Sequence, residues 1–280
     1  MLVPSGPKHY VNHMLGLEKL VALRDPSLDC SEQTIHLYKC LRYLMIFACI
    51  GAGQPSILAK PEWKALLRRH CQGEEEMREQ QLYDALADCS VLMAELSELL
   101  KRWEMQDSGH ESQIETTRRR TQDLHRQLRA WRGEWDMNPA NAWTKGPAET
   151  VPRDNDETLP DPSSLVIPNM ATALTLMLYD TALIYVLHIL ITLPLESQPQ
   201  YTTRDYVNLA HSAVLEICRT MPDPSDEKLH ADMHSAPALH WALMVAHMIL
   251  QNDTSEEGRR LVDLLNWKSA SISTKSIWTT

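Results

Sequence analysis

Glycine and phenylalanine are scarce in this 280-residue chain: nine glycines and one phenylalanine, beside eight tryptophans and thirteen methionines. A sandwich or barrel needs many tight turns and strand-forming side chains. Their shortage, with abundant Leu, Ala, Met, Glu and Arg, favours helices. A basic excess is also missing. Lys and Arg number 27 against 37 Asp and Glu, for a formal net charge of −10. A chain that bound nucleic acid by itself would normally neutralise phosphates with a basic face, so direct nucleic-acid binding is not expected. The first residues, MLVPSGPKHY, lack the apolar core and small-residue cleavage site of a secretory signal.

The six cysteines, Cys30, Cys40, Cys49, Cys71, Cys89 and Cys218, include no C-x-x-C pair. That removes zinc ribbons and dithiol redox sites. Several lie in apolar helical runs, as reduced buried thiols do, which points to the nucleus or cytoplasm. Catalytic signatures are absent as well: no H-E-x-x-H, no G-x-S-x-G, no Walker loop and no D-D-x-x-D. GAGQPS at 51–56 has glycines but no preceding strand and no following Gly-Lys-Ser, so it is expected as a helix C-cap and turn. Asp84 and Asp88 are one turn apart, a common arrangement on a surface helix. His230, Asp232 and His234 (HADMH) would need a third fixed ligand and a second shell to hold a metal. No metal, cofactor or catalytic residue is therefore assigned.

The apolar periodicity predicts helices along most of the chain. The first covers 8–24, with Leu15, Leu17, Leu20 and Leu23 inward. Asp29 and Glu32 form a capping box for the next, whose stripe is Leu37, Leu41, Leu44 and Ala48. Pro61 suits the first position of a short helix to His70. A helix over 76–105 carries Leu82, Leu86, Cys89, Met93, Leu96 and Leu100 on one face, with Glu74 to Glu76 near its positive end. Another, 111–136, presents Leu124, Leu128, Trp131 and Trp135. Its opposite side carries Arg118, Arg119, Arg120, Arg126, Arg129 and Arg132, read as a solvated face beside acidic neighbours. From Asn138 to Pro168 six prolines and scattered acids interrupt all periodicity, as in a long loop mobile in its middle. The expected architecture is all-α, a multi-helix bundle of two helical blocks joined by a Pro-rich loop. The blocks are 1–137 and 169–268, the acidic linker 138–168, and a flexible tail 269–280.

The second block opens with the most apolar segment, 170–195. It is long enough for a membrane span, but Asp180 near its centre would cost roughly 2.5–3.5 kcal/mol there. A buried core helix is the better reading, with Asp180 paired or turned to solvent. Helices near 202–220, 235–251 and 255–267 follow, the last capped by Thr254 and Glu257. His240 and His247, seven apart, share a face with Trp241 and Met244. Tyr185 and His188 lie on the apolar helix. These six are the candidates for a small-molecule pocket between helices, and satisfied core histidines are the alternative.

Four segments carry a resemblance: HMLGLEKLVALRDP at 13–26, LRYLMIFACIGAGQPSILAKPEWKALL at 41–67, LVIPNMATALTLMLYDTALIYVLHIL at 165–190, and PALHWALMVAHMIL with EEGRRLVDLL at 237–265. In this order and spacing they resemble the regulatory region of fungal zinc-cluster transcription factors, across most of 8–268. That family's zinc cluster packs six cysteines closely among Lys and Arg; here the cysteines are scattered and nothing basic precedes the domain. The resemblance implies a stand-alone or truncated regulatory domain, acting through a protein partner (a DNA-binding transcription factor or a second copy) or a small-molecule ligand. Control of a secondary-metabolite gene cluster is the expected setting. The rival expectation is a metal-free enzyme of such a pathway, a cyclase preorganising its substrate in a hydrophobic pocket, with His188, His240 and His247 as acid–base groups.

Overall fold

The computed structural model describes residues 7–26, 28, 30–104, 111–138, 141, 144–145, 165–166, 170–193, 202–221 and 237–273. Among them are nine α-helices, so the all-α expectation holds. They are α1 (Pro7–Ala22), α2 (Glu32–Gly51), α3 (Pro61–Arg69), α4 (Glu74–Glu104), α5 (Glu111–Asp136), α6 (Met170–Thr192), α7 (Thr203–Thr220), α8 (Pro237–Leu250) and α9 (Glu256–Ser273). A 3-10 turn, Ile57–Ala59, precedes α3. Within the Pro-rich segment, β1 (Thr144–Lys145) and β2 (Leu165–Val166) pair antiparallel, Thr144 opposite Val166. The rest of the linker reading, and the HADMH segment, lie outside the described residues.

The described chain forms two compact units. Of the described residues, unit 1 takes those up to 128 and those from 185 to 207, and unit 2 takes those from 129 to 184 and those from 208 onward. The units are interleaved in sequence, because α5, α6 and α7 each give one end to each.

In unit 1, α2 begins at an N-cap, but Ser31 makes it, its side chain accepting from the Thr34 N–H at 3.3 Å. The capping expectation at Asp29 was two residues early. At the other end, Gly53 takes φ +63°, and the Gly53 and Gln54 N–H groups bond back to Ile50 and Cys49. GAGQPS is thus the C-cap and turn that the glycine spacing implies. Pro61 opens α3.

Two stripes are rotated from the expected positions. In α1 the buried line is Met14, Glu18 and Val21, while Leu20 and Leu23 are exposed. Glu18 is inside because its carboxylate accepts from Ser56 Oγ at 2.7 Å, from Ile57 N at 2.6 Å, and from the Cys49 thiol. In α2, Leu37 is exposed and Tyr38 and Arg42 are buried. On the 31-residue α4 the stripe drifts, so Leu99 is buried in place of Leu100.

Charge sets how α4 meets its neighbours. Glu76, Gln80, Asp84 and Asp88 recur every fourth residue, one line along the helix. Lys39 meets Glu76, Arg42 donates to Gln80, Arg68 to Asp84 and Lys64 to Asp88, each at 2.5 Å. Arg42 also reaches Glu79 at 3.1 Å and lies 3.7 Å over the Tyr83 ring. Asp84 and Asp88 are therefore bridge partners of α3. Burial pushes the Asp84 carboxyl upward, against Gln80 and Arg68.

In unit 2, Trp131 and Trp135 of α5 are buried, as the stripe requires. Trp135 stacks on Trp131 at 5.1 Å, and Trp131 on Tyr179 of α6 at 5.4 Å. Helix α6 is long and apolar enough to cross a membrane, but 78% of its apolar window is buried inside the protein. Leu176, Met177, Ala182 and Ile184 have no exposure. A helix apolar all round is covered all round, which makes α6 a core helix. Helix α9 runs to Ser273, into the tail expected from residue 269. Its N-cap is Ser255, whose Oγ accepts from Gly258 N at 2.9 Å; the expectation at Thr254 was one residue early.

Candidate functional site

The six pocket candidates divide between the units. Tyr185 and His188 belong to unit 1; His240, Trp241, Met244 and His247 belong to unit 2. Tyr185 is 2% exposed and lies 6.4 Å from the Phe47 ring, a core position. Burial raises its phenol far above the ordinary range. His188 is half-buried, and burial lowers its imidazole below the usual value. On α8, Trp241 and Ala242 are buried and His240 is half-buried, whereas Met244 and His247 are exposed. The shared face expected for the four is thus split between an inner and an outer side.

The outer side opens a groove of about 670 Å³ between α8 and α9. Met244, Met248, Leu250 and Val262 supply its apolar lining. His247, Gln251, Asp253, Arg259 and Asp263 supply polar groups. Met244 and His247 are the two expected residues it brings together; His240 and Trp241 do not line it. Partial burial draws the His247 imidazole below its ordinary range, so it is neutral at physiological pH. The volume falls in the range of small-molecule sites, and methionines adapt to varied apolar shapes. Pattern reading missed the α9 side because Arg259, Val262 and Asp263 look like an ordinary amphipathic surface.

One end of the groove is tied into unit 2 through Asp253. Its Oδ1 accepts from Ser255 N at 2.8 Å, and its Oδ2 bonds His211 Nε2 of α7. Burial works against ionisation of Asp253, but the bonds from Ser255 and His211 prevail and hold it below the usual carboxylate range. His211 is 6% exposed, and its Nδ1 lies 3.8 Å from Glu257. Gly258 permits this arrangement, since a Cβ there would stand 2.5 Å from the Asp253 carboxyl carbon.

A second cluster gathers around a fully internal acid. Asp180, at the middle of α6, has no exposure, no donor meets either carboxyl oxygen, and its side-chain neighbour is another acid, Glu216. It is neither turned to solvent nor paired with a cation, the outcomes that the cost of burying a charge leads one to expect. Desolvation, then the charge of Glu216, raises its carboxyl well above the ordinary value, with Arg132 opposing. A buried carboxyl can escape the cost of an unpaired charge by keeping its proton. Arg132, expected on a solvated basic face, instead grips Glu216 of α7 with Nη1 at 2.6 Å and Nη2 at 2.8 Å. Its Nε donates to Asp136 at 2.8 Å. Arg120 and Arg126 keep to the expected pattern, bonded to Glu95 and Asp123.

Among the described residues, no three His, Cys, Asp or Glu side chains converge as a metal would require. The family described as fungal specific transcription factor domain matches residues 3–280. No curated protein and no solved structure matches the chain.

Proposed function

Since the chain belongs to the fungal specific transcription factor domain family, we propose that it is a regulatory module whose α8–α9 groove receives the signal it responds to. Membership carries the transcription-regulatory function, and the match over almost the whole chain is the observation on which it rests. The finer reading is that a small apolar ligand, or a partner's side chains, enters between Met244, Met248 and Val262. Support comes from the volume and adaptable lining of the groove, and from polar groups at Arg259, Asp263 and His247 that can orient an occupant. With a net charge of −10, the chain would reach promoters through a DNA-binding partner in the nucleus, rather than through its own surface. Control of a secondary-metabolite gene cluster is the setting we propose.

The test fuses the whole chain to an unrelated DNA-binding domain and reads a reporter in a fungal host. The wild-type fusion should change transcription, and Met248→Glu should abolish the change while leaving the melting temperature of the purified protein within a few degrees. A silent wild-type fusion would sink the regulatory reading. An unaffected Met248→Glu fusion would sink the groove.

A further inference from the structure

We propose that unit 2 carries a bound proton on Asp180 at neutral pH, and that this proton keeps Arg132 committed to Glu216 as a latch between α5 and α7.

The geometry leaves Asp180 no other way to be inside. It has no solvent exposure and no hydrogen-bond donor on either oxygen. The nearby cation is already engaged. The fork of Arg132 holds both oxygens of Glu216, and its Nε holds Asp136. The bidentate grip is that of an ion pair with a carboxylate, so the guanidinium is committed to Glu216 and Asp180 is left with no cation of its own. The Arg132 guanidinium also lies 5.4 Å from the centre of the Tyr179 ring, which stacks on Trp131. The charged and titratable groups around Asp180 are thus Glu216 on α7, Arg132 and Asp136 on α5, and the Tyr179 phenol beside it on α6. Burial and Glu216 both disfavour its ionised form, and Arg132 alone of these favours it.

Two arrangements follow. With Asp180 protonated, Arg132 belongs to Glu216 and the latch is closed. With Asp180 ionised, two carboxylates, one fully and one partly buried, compete for one guanidinium, and the tie to α7 weakens. The folded state binds this proton more tightly than the unfolded chain does. Its stabilisation is therefore complete at acid pH and is lost as pH rises through the folded titration. Loss of the proton loosens a junction of three helices without any ligand, a charge change at a switch acting on a packed element.

Asp180→Asn tests this, because Asn is the neutral isostere of the protonated acid. Urea unfolding of both proteins would be followed from about pH 5 to about pH 9, where the wild-type unfolding constant should rise relative to the variant by up to about tenfold per pH unit. The wild type at neutral pH should show the carbonyl band of a protonated carboxyl in infrared difference spectra against the variant. Near-ultraviolet circular dichroism of the native Trp131–Tyr179 stack, followed upward in pH to where the rise in the unfolding constant levels off, should change there in wild type and stay constant in the variant. A pH-independent ratio, or a missing infrared band, would overturn the bound proton. A dichroism signal constant in both proteins would overturn the latch. Failure of Asp180→Asn to fold would also count against the proposal, since a neutral side chain of that shape should be accepted.

Discussion

Replacing Gly258 by Ala should destabilise the protein, although Ala is the better helix former. Position 258 lies in the first turn of α9, where the exchange alone would contribute up to about 1 kcal/mol of stability. The added Cβ, however, would stand 2.5, 2.7 and 2.8 Å from the Asp253 carboxyl atoms. That carboxylate cannot swing aside freely, because Ser255 N and His211 hold it. Displacing it forfeits a charge-assisted bond to a buried imidazole, about 1.5–3 kcal/mol, and a backbone bond of about 0.5–1.5 kcal/mol. After the helix gain is subtracted, the net loss should be about 1–3.5 kcal/mol. The decisive comparison is a double-mutant cycle with Asp253→Ala, read by chemical unfolding. Without the carboxylate nothing opposes the methyl group, so Gly258→Ala should become neutral or stabilising. Stabilisation in the wild-type background, or an equal loss in both backgrounds, would refute the reasoning.

Other outcomes follow from the same structure. Leu187→Ala, at a position with no exposure in α6, should leave a cavity and cost roughly 2–5 kcal/mol by calorimetry. Removing Arg42, which is buried against Gln80, Glu79 and Tyr83, should cost about 1–3 kcal/mol as Arg42→Ala, because the buried Gln80 oxygen loses its donor while Glu79 is open to water. Arg126→Ala breaks an exposed pair with Asp123 and should cost under about 1 kcal/mol, measured in the same unfolding series. Asp253 sits below the ordinary carboxylate range, so its stabilisation is present above that range and lost as pH falls through the folded value. The stability gap between wild type and Asp253→Asn should therefore close under acid conditions and stay open at pH near neutral. In a gel assay at physiological salt, the isolated chain should shift no duplex at submicromolar concentration, as its net charge implies.

Helix existence and type were legible in the residues because they depend on short-range spacing. Leu124, Leu128, Trp131 and Trp135 repeat with the helical period, and that alone assigns them to the buried face of α5. Pro61 opens α3 and Gly53 turns the chain after α2 for local reasons, a fixed φ and a tolerated positive one. Caps were harder, since neighbouring Ser, Thr and Asp compete at one helix start. Ser31 and Ser255 won by the placement of their oxygens, which composition does not reveal.

Partnership belongs to the tertiary structure. Glu18 is buried while Leu23 is exposed because the turn at Ser56 offers that carboxylate an N–H and a hydroxyl. Arg132 reads like its arginine neighbours along α5, yet it bonds a residue 84 positions away. Asp180 looked too costly to bury unpaired. That cost applies to a charge, and the folded environment answers by favouring the neutral acid. Met244 and His247 face outward while Trp241 packs inward, because α9 covers only part of the α8 surface. Periodicity states which residues share a side of a helix. Which side meets protein, and which charge finds an opposite one, depends on chain segments far away in sequence, and their approach is set by packing rather than by local spacing.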